Sequence, residues 1–367
     1  MLTIYISLLQ PNVKDTNMSR QKYYLKYLYL LTVCYLTISL FSSCESSKNK
    51  KEIDVSKIDV QLKSHRFDKD LFACDTNHLK ESINVLGNKY PDFANVYFKE
   101  ITGFDRNNDN LVFLNSVRHF ITYKDYKNLY DTVQIVFPNT NEMDASLSQL
   151  FKHVKYYFPN EKLGDVYYFI SGLNSWSAVT VDTALGIGLD MHLGKDYPYY
   201  ASVQLPEYQI EHCEKEYIPI NASKVIYENI FPFEPDGKNL LELMLMKGKQ
   251  QLFMEYTLPT TNDELLMGYT TKQLEWCKDN EAMIWNYFSA QKLLYSTNWQ
   301  DVMRYVNEGP NSTGMPLESP GNIGTWIGWQ IIRKYMDEHP EKTMVDILKS
   351  SIDAQTLLRD SGYRPRS

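Results

Sequence analysis

The chain has 367 residues, a formal net charge of −7 and an aromatic share of 14% that includes 28 tyrosines. An acidic chain gains nothing from the release of phosphate counterions, so nucleic acid is excluded as an expected partner, and so is docking on anionic lipid through a basic face. The length suits one large domain or two intimate ones.

Read from Met18, residues Ser19 to Lys26 form a basic n-region and Tyr27 to Phe41 an apolar h-region. The apolar run is too short to span a bilayer, which takes about 20 residues. Phe41-Ser42-Ser43-Cys44 has the pattern of a lipobox. Its small residues fit a peptidase cleft, and the Cys44 thiol is the nucleophile that takes a diacylglyceryl group. Residues 1–43 are therefore expected to be a lipoprotein signal peptide. Met18 is the expected start, because Met1 to Asn17 lies upstream of the charged segment and holds Pro11 and Asp15. Membrane attachment is then expected to rest on acyl chains at Cys44, and more than one chain gives stable anchoring. Loss of the signal takes four basic residues and one acid, leaving 34 Lys and Arg against 44 Asp and Glu, a net charge of −10. Of the five cysteines, Cys34 leaves with the signal and Cys44 becomes the anchor; Cys74, Cys213 and Cys277 are too few and too scattered for a disulfide scaffold or a CxxC site. Residues 44–64 read as the acylated cysteine and a tether, with Glu45 to Glu52 rich in Ser, Lys and Asn. Residues 65–367 read as a single domain, since no linker, repeat or low-complexity run interrupts them.

Along that domain, helical spacing of apolar residues predicts helices over Arg66 to Cys74, Asn77 to Lys89, Asp92 to Ile101, Asn110 to Phe120 and Glu142 to Tyr157. Thr132 to Phe137 and Asp165 to Gly172 are β-branched and aromatic between Pro and Gly, and predict strands. Two more strands of one antiparallel sheet are expected within Ser177 to Leu193. The helical period returns over Asn221 to Phe231, Asn239 to Phe253, Thr271 to Leu294, Gly324 to Glu338 and Met344 to Lys349. The expected class is α+β: a helical N-terminal part, a central antiparallel sheet and a helical C-terminal half.

Most chemical motifs are absent. Gly186-Ile187-Gly188 lacks the third glycine of a dinucleotide loop and has the flanks of a strand bend; there is no Walker loop and no GxSxG elbow. The seven histidines are His65, His78, His119, His153, His192, His212 and His339, and no two lie within four positions. Two imidazoles one helical turn apart are what a helix-borne zinc site needs, so no metal and no cofactor are expected. Asp190 and His192 would share one strand face, and His212 lies near Glu214 and Glu216. Such lone acid–histidine pairs more often make a local hydrogen bond than a catalytic site.

Several strings carry a resemblance. They are Val166 to Gly172, Leu185 to Asp190, Leu193 to Asp196, Gly268-Tyr269-Thr270 with Gln273, Trp276-Cys277, Asn280-Glu281 with Ile284-Trp285, Leu294 to Thr297, and Glu318 to Gly324 followed by Gly328-Trp329-Gln330. The chain resembles the gliding-motility lipoprotein GldB family of Bacteroidetes over essentially all of its mature length. The resemblance implies an envelope lipoprotein whose relatives serve gliding and associate with the machinery that exports adhesins. That family in turn resembles HExxH zinc proteases, which implies a zincin-like scaffold. Here, however, the corresponding helix, Asn221 to Phe231, holds no histidine, and Lys247 stands where the next helix would need an acid. Zinc-activated water cannot arise by that route, and a shared scaffold does not carry the activity with it.

In the C-terminal half, Ser319-Pro320-Gly321 breaks the chain before a helix whose Ile323, Trp326, Ile327, Gln330, Ile331 and Tyr335 form a broad stripe. Glu281, Asn280, Gln330 and Trp285, together with Asp190 and His192, are the candidate cleft or network residues. The expected function is that of a membrane-anchored, periplasm-facing, non-enzymatic component of the motility or adhesin-secretion apparatus, meeting other envelope proteins. A peptidoglycan- or glycan-binding module and a hydrolase derived from a protease scaffold are the alternatives. An aromatic-lined cleft would favour the glycan reading, and converging acid–base residues the hydrolase.

Overall fold

The computed structural model describes residues 53–104 and 110–365, so the signal segment and Cys44 lie outside the described residues. Val55 is already buried, and Ser64 opens the first strand, so the folded body starts within the stretch read as tether. In chain order come β1 (Ser64–Arg66), α1 (Phe67–Phe72), α2 (Leu79–Lys89) and α3 (Pro91–Val96), which runs into one π-helical turn at Tyr97–Ile101. Next are α4 (Asn110–Thr122), α5 (Lys124–Val136) and α6 (Asn141–Tyr157). The strands β2 (Val166–Phe169), β3 (Ala178–Val181) and β4 (Ala184–Gly188) follow, with a 3-10 turn at Leu189–Met191. Two short helices, α7 (Tyr199–Ser202) and α8 (Glu207–Ile210), lead into the helical half. That half consists of α9 (Tyr217–Ile230), α10 (Leu240–Thr257), α11 (Asp263–Met267), α12 (Thr271–Asp279), α13 (Glu281–Ala290), α14 (Trp299–Val306), α15 (Ile323–Glu338), α16 (Met344–Lys349) and α17 (Ala354–Ser361). The α+β class is the one expected; from Asp54 onward the chain forms one compact unit.

The sheet departs from expectation. Its order is β1-β2-β4-β3; β1 and β4 both run parallel to β2, and only β3 is antiparallel, to β4. The sheet is therefore mixed. The outer strand β1 lies about 100 residues upstream of β2, and α1 to α6 form the crossover that a parallel pair requires. Side chains of β2 alternate as strand geometry demands. The Tyr167 ring stacks 4.5 Å from Phe93 on α3, whereas the Tyr168 hydroxyl donates to Asp144 on α6 at 2.8 Å. Gly186, opposite Tyr167, clears room for the first face: a Cβ there would meet Phe93 at 2.9 Å. A Cβ on Gly188 would lie 1.9 Å from the Trp176 carbonyl oxygen. The Gly-Ile-Gly sequence is thus a packing feature of a central strand.

Thr132 to Phe137, read as a strand, is helical in α5. Leu129 and Val133 are buried one turn apart, while Ile135 is 79% exposed. A 3.6-residue period of burial overrides local β propensity here. The expected helix over Thr271 to Leu294 is interrupted at Asn280, whose side-chain NH2 donates to the Trp276 carbonyl at 2.9 Å.

Helices α10 and α15 cross at their glycines. A Cβ on Gly248 would meet the Gly328 carbonyl carbon at 2.5 Å, and one on Gly328 would meet the Met244 oxygen at 1.8 Å. Beyond the crossing, Glu255 accepts from Trp329 Nε1 at 2.7 Å and Arg333 Nε at 3.1 Å; Arg333 also grips Asp263 with two bonds at 2.7 and 2.8 Å and lies 3.7 Å over the Trp329 ring. One guanidinium thus ties α10, α11 and α15 together, in the bidentate geometry that makes arginine–carboxylate pairs strong. The stripe foreseen on α15 is wider than one face: Gly324, Thr325, Gly328, Trp329 and Ile332 are buried as well.

Candidate functional site

The residues singled out from sequence fall in two separate places. Asp190 and His192 lie on and just after a 3-10 turn, not on a strand face, and each bonds elsewhere. The chain leaves the sheet at Gly188, so the alternation that would align the pair ends before it begins. The Asp190 carboxylate accepts from the Ser171 amide (2.9 Å), the Ser171 hydroxyl (2.9 Å) and the Leu173 amide (2.7 Å). It thereby holds the loop after β2, where Gly172, Leu173 and Ser175 all have positive φ. Burial raises its pKa, against these hydrogen bonds. His192 donates from Nδ1 to the Gly188 carbonyl at 2.8 Å, and its Nε2 accepts from Asn221 at 3.1 Å. Burial lowers its pKa to about 4, so the ring is neutral.

Glu281 accepts from the Tyr363 hydroxyl at 2.7 Å, and Trp285 meets the Tyr363 ring edge-on at 5.4 Å. These contacts fasten the C-terminal segment to α13, and burial raises the Glu281 pKa. Asn280 serves the helix junction. Gln330 Nε2 is buried without a partner among the described residues.

A cleft of about 180 Å³ lies elsewhere, where α8, the start of α9, the α11–α12 turn and the loop before α15 meet. Gly268 ends α11 in the left-handed region, and a Cβ there would lie 2.6 Å from His212 Nε2. That clearance lets His212 Nε2 donate to the Gly268 carbonyl at 2.9 Å. Thr270 and Gln273 form a capping box on α12, with the Gln273 side-chain oxygen accepting from the Thr270 amide at 2.9 Å. The Tyr269 hydroxyl donates to the Gly321 carbonyl at 2.8 Å and ties the turn to the opposite wall. A Cβ on Gly321 would lie 2.3 Å from the Gly309 oxygen, so two strands of the loop run main chain against main chain.

Glu308 accepts from Lys224 at 3.2 Å and stands 3.7 Å from His212 Nδ1; the lysine ahead of other effects pulls its pKa down. The Glu308 side chain is 38% exposed, so this pairing adds little stability. The His212 and Tyr217 rings lie 4.8 Å apart. Tyr217 is 8% exposed, and its hydroxyl has no protein partner among the described residues. Asn322, with φ of 60° ahead of α15, has a buried Oδ1 that is also unpartnered. A second recess, beside Thr180 and Thr183, holds only about 20 Å³, room for one water.

The sequence contained signals for this cleft: Gly268-Tyr269-Thr270 with Gln273 and Pro320-Gly321-Asn322 belong to the strings that carry the resemblance. His212 drew notice beside Glu214 and Glu216, but the acid facing it is Glu308, 96 positions away. Among the described residues no three His, Cys, Asp or Glu side chains gather as a metal site, and no helix is long and apolar enough to cross a membrane. Where HExxH residues would stand on α9, Lys224 pairs with Glu308, while Glu228 accepts from Gln250 at 3.0 Å.

A helix-rich α+β body with a short mixed sheet and a small cleft of mixed polar and aromatic lining defines the class. The chain belongs to the gliding motility protein GldB family, which it matches over residues 48–365, the whole of the described body. This ties it to gliding motility and to a lipoprotein-type family. No curated protein and no solved structure matches it.

Proposed function

We propose that the chain is a lipid-anchored component of the cell envelope that serves the gliding or adhesin-export apparatus through protein contacts rather than catalysis. The observation that carries this reading, beside the family, is that four of the buried acids and bases are committed to holding the fold. Asp68 is clamped by Arg66 and Gln134, Asp190 by the β2 loop, His192 by Gly188 and Asn221, and Glu255 by Trp329 and Arg333. A general acid or base needs a free position within hydrogen-bond reach of a substrate, and these groups have spent theirs on neighbours. The anchor in this reading is Cys44.

The test is affinity capture of the intact lipoprotein from solubilised envelopes, with a Cys44→Ala form alongside. Co-purification of motility or secretion proteins, with loss of fatty-acid labelling and of membrane pelleting in Cys44→Ala, is the expected result. Unchanged acylation in that variant would remove the anchor from the reading. One equivalent of tightly bound zinc by elemental analysis would remove its non-catalytic part.

A further inference from the structure

We propose that the cleft between His212, Tyr217, Gln273 and Asn322 is a binding site for one neutral pyranose ring, the terminal unit of a glycan. The polar groups left open in the cleft are of both kinds. Gln273 uses its carbonyl oxygen in the capping box, which leaves its side-chain NH2 as a free donor, and the hydroxyl of the largely buried Tyr217 bonds to no described residue. Asn322 Oδ1 is a buried acceptor without a partner, and Glu308 adds carboxylate oxygens on the same wall. Sugar hydroxyls donate and accept at once, so they match a mixed set of this sort, whereas a phosphate or carboxylate needs donors alone.

Charge narrows the choice further. Glu308 and Glu211 stand on the walls and repel an anion, yet each is already paired, with Lys224 at 3.2 Å and Lys195 at 3.0 Å. Both wall carboxylates are thus balanced by a lysine. The apolar surface is aromatic, with Tyr208 and the adjoining rings of Tyr217 and His212, and such faces stack on the C–H side of a sugar. At about 180 Å³ the cleft falls below the roughly 300–1,000 Å³ of drug-sized sites, so it admits one ring and not a run of them. The Tyr269–Gly321 and His212–Gly268 bonds hold the walls without filling the space between them.

Saturation-transfer NMR on the full chain, held in a detergent without a sugar headgroup, tests the assignment. The probes are methyl glucopyranoside, methyl galactopyranoside, N-acetylglucosamine, inorganic phosphate and trilysine. Transfer to at least one of the three sugars is expected. Its affinity should fall about two- to tenfold in Tyr217→Phe, which deletes only the hydroxyl, and by as much in Gln273→Glu, which keeps the capping oxygen and deletes the NH2. Tyr295→Phe, at an exposed tyrosine outside the cleft, should leave it unchanged, and melting temperatures report that the variants are folded. The proposal is overturned if no sugar shows transfer, if transfer is the same in both cleft variants, or if phosphate or trilysine binds in place of the sugars.

Discussion

The crossing of α10 over α15 and the cleft at the start of α15 lie on one helix and are both built with glycine, to opposite effect. At the crossing, Gly248 and Gly328 remove two side chains so that backbones touch, and the contact is closed by Glu255, which accepts from Trp329 and Arg333. At the cleft, Gly268 and Gly321 bring segments together at close approaches, and Asn322 Oδ1 is left without a partner among the described residues. Dense packing makes stability, and the interrupted packing beside it makes a place for a ligand. Mutations should therefore separate the two: stability losses at the crossing, binding losses at the cleft.

The largest effect is expected from removing the layer that covers the crossing. Met344, Ile347, Leu348, Leu357 and Tyr363 are all buried, and α17 packs on α15. Burying side chains of this size contributes about 1.5–3 kcal/mol each, together comparable to the roughly 5–15 kcal/mol that holds a domain folded. A chain ending at His339 should show no cooperative unfolding transition. A truncated chain that melts as the intact one does would make the tail a separate docking element.

Gly328→Val comes next. Its Cβ would fall 1.8 Å from the Met244 oxygen, which is backbone and cannot swing aside, so α15 must move off α10. About 3 kcal/mol or more should be lost in urea denaturation. A loss below about 1 kcal/mol would mean that the crossing is looser than its geometry.

The third effect follows pH. His192 titrates near 6.5 when unfolded and about 4 when folded, because burial disfavours its charged form. Between these values the unfolded state binds the extra proton. The stability His192 contributes is thus fully present above pH 6.5 and is lost as pH falls towards 4, a difference of about 3 kcal/mol. His192→Asn should flatten the slope of melting temperature against pH over that window. Glu281 runs the other way: burial raises its folded pKa, so its protonated form adds stability below about 4.5 that is lost as pH rises through the folded value.

The smallest effect should come from the cleft itself. Tyr217→Phe leaves no buried partner unpaired and should change stability by less than about 0.5 kcal/mol. A loss as large as that at Gly328 would place Tyr217 in the packed structure and erase the contrast.

The helices of both ends, the strands at Asp165 to Gly172 and within Ser177 to Leu193, and the break before Ile323 were legible because their signals are local. Hydrophobic period, capping residues and Pro-Gly punctuation act over a turn or two. What failed was set from farther away. Thr132 to Phe137 has strand-like residues, but burial of Leu129 and Val133 one turn apart holds it in α5. The sheet was expected to be antiparallel because three strands lie close in sequence. Two of its pairings are parallel: β2 pairs with β4 past the intervening β3, and with β1, only three residues long, too short to carry a period.

By itself, then, the sequence determined the lipobox pattern around Cys44, the α+β class and the family, since each is written in contiguous residues. The tertiary structure alone decided that Glu308, not Glu214 or Glu216, faces His212, and that Gly248 meets Gly328 across 80 positions. It also decided that Tyr217 and Asn322 line one cleft. Such pairings are fixed by how helices pack once the apolar faces are buried, and no local propensity encodes which distant side chain that packing will bring alongside.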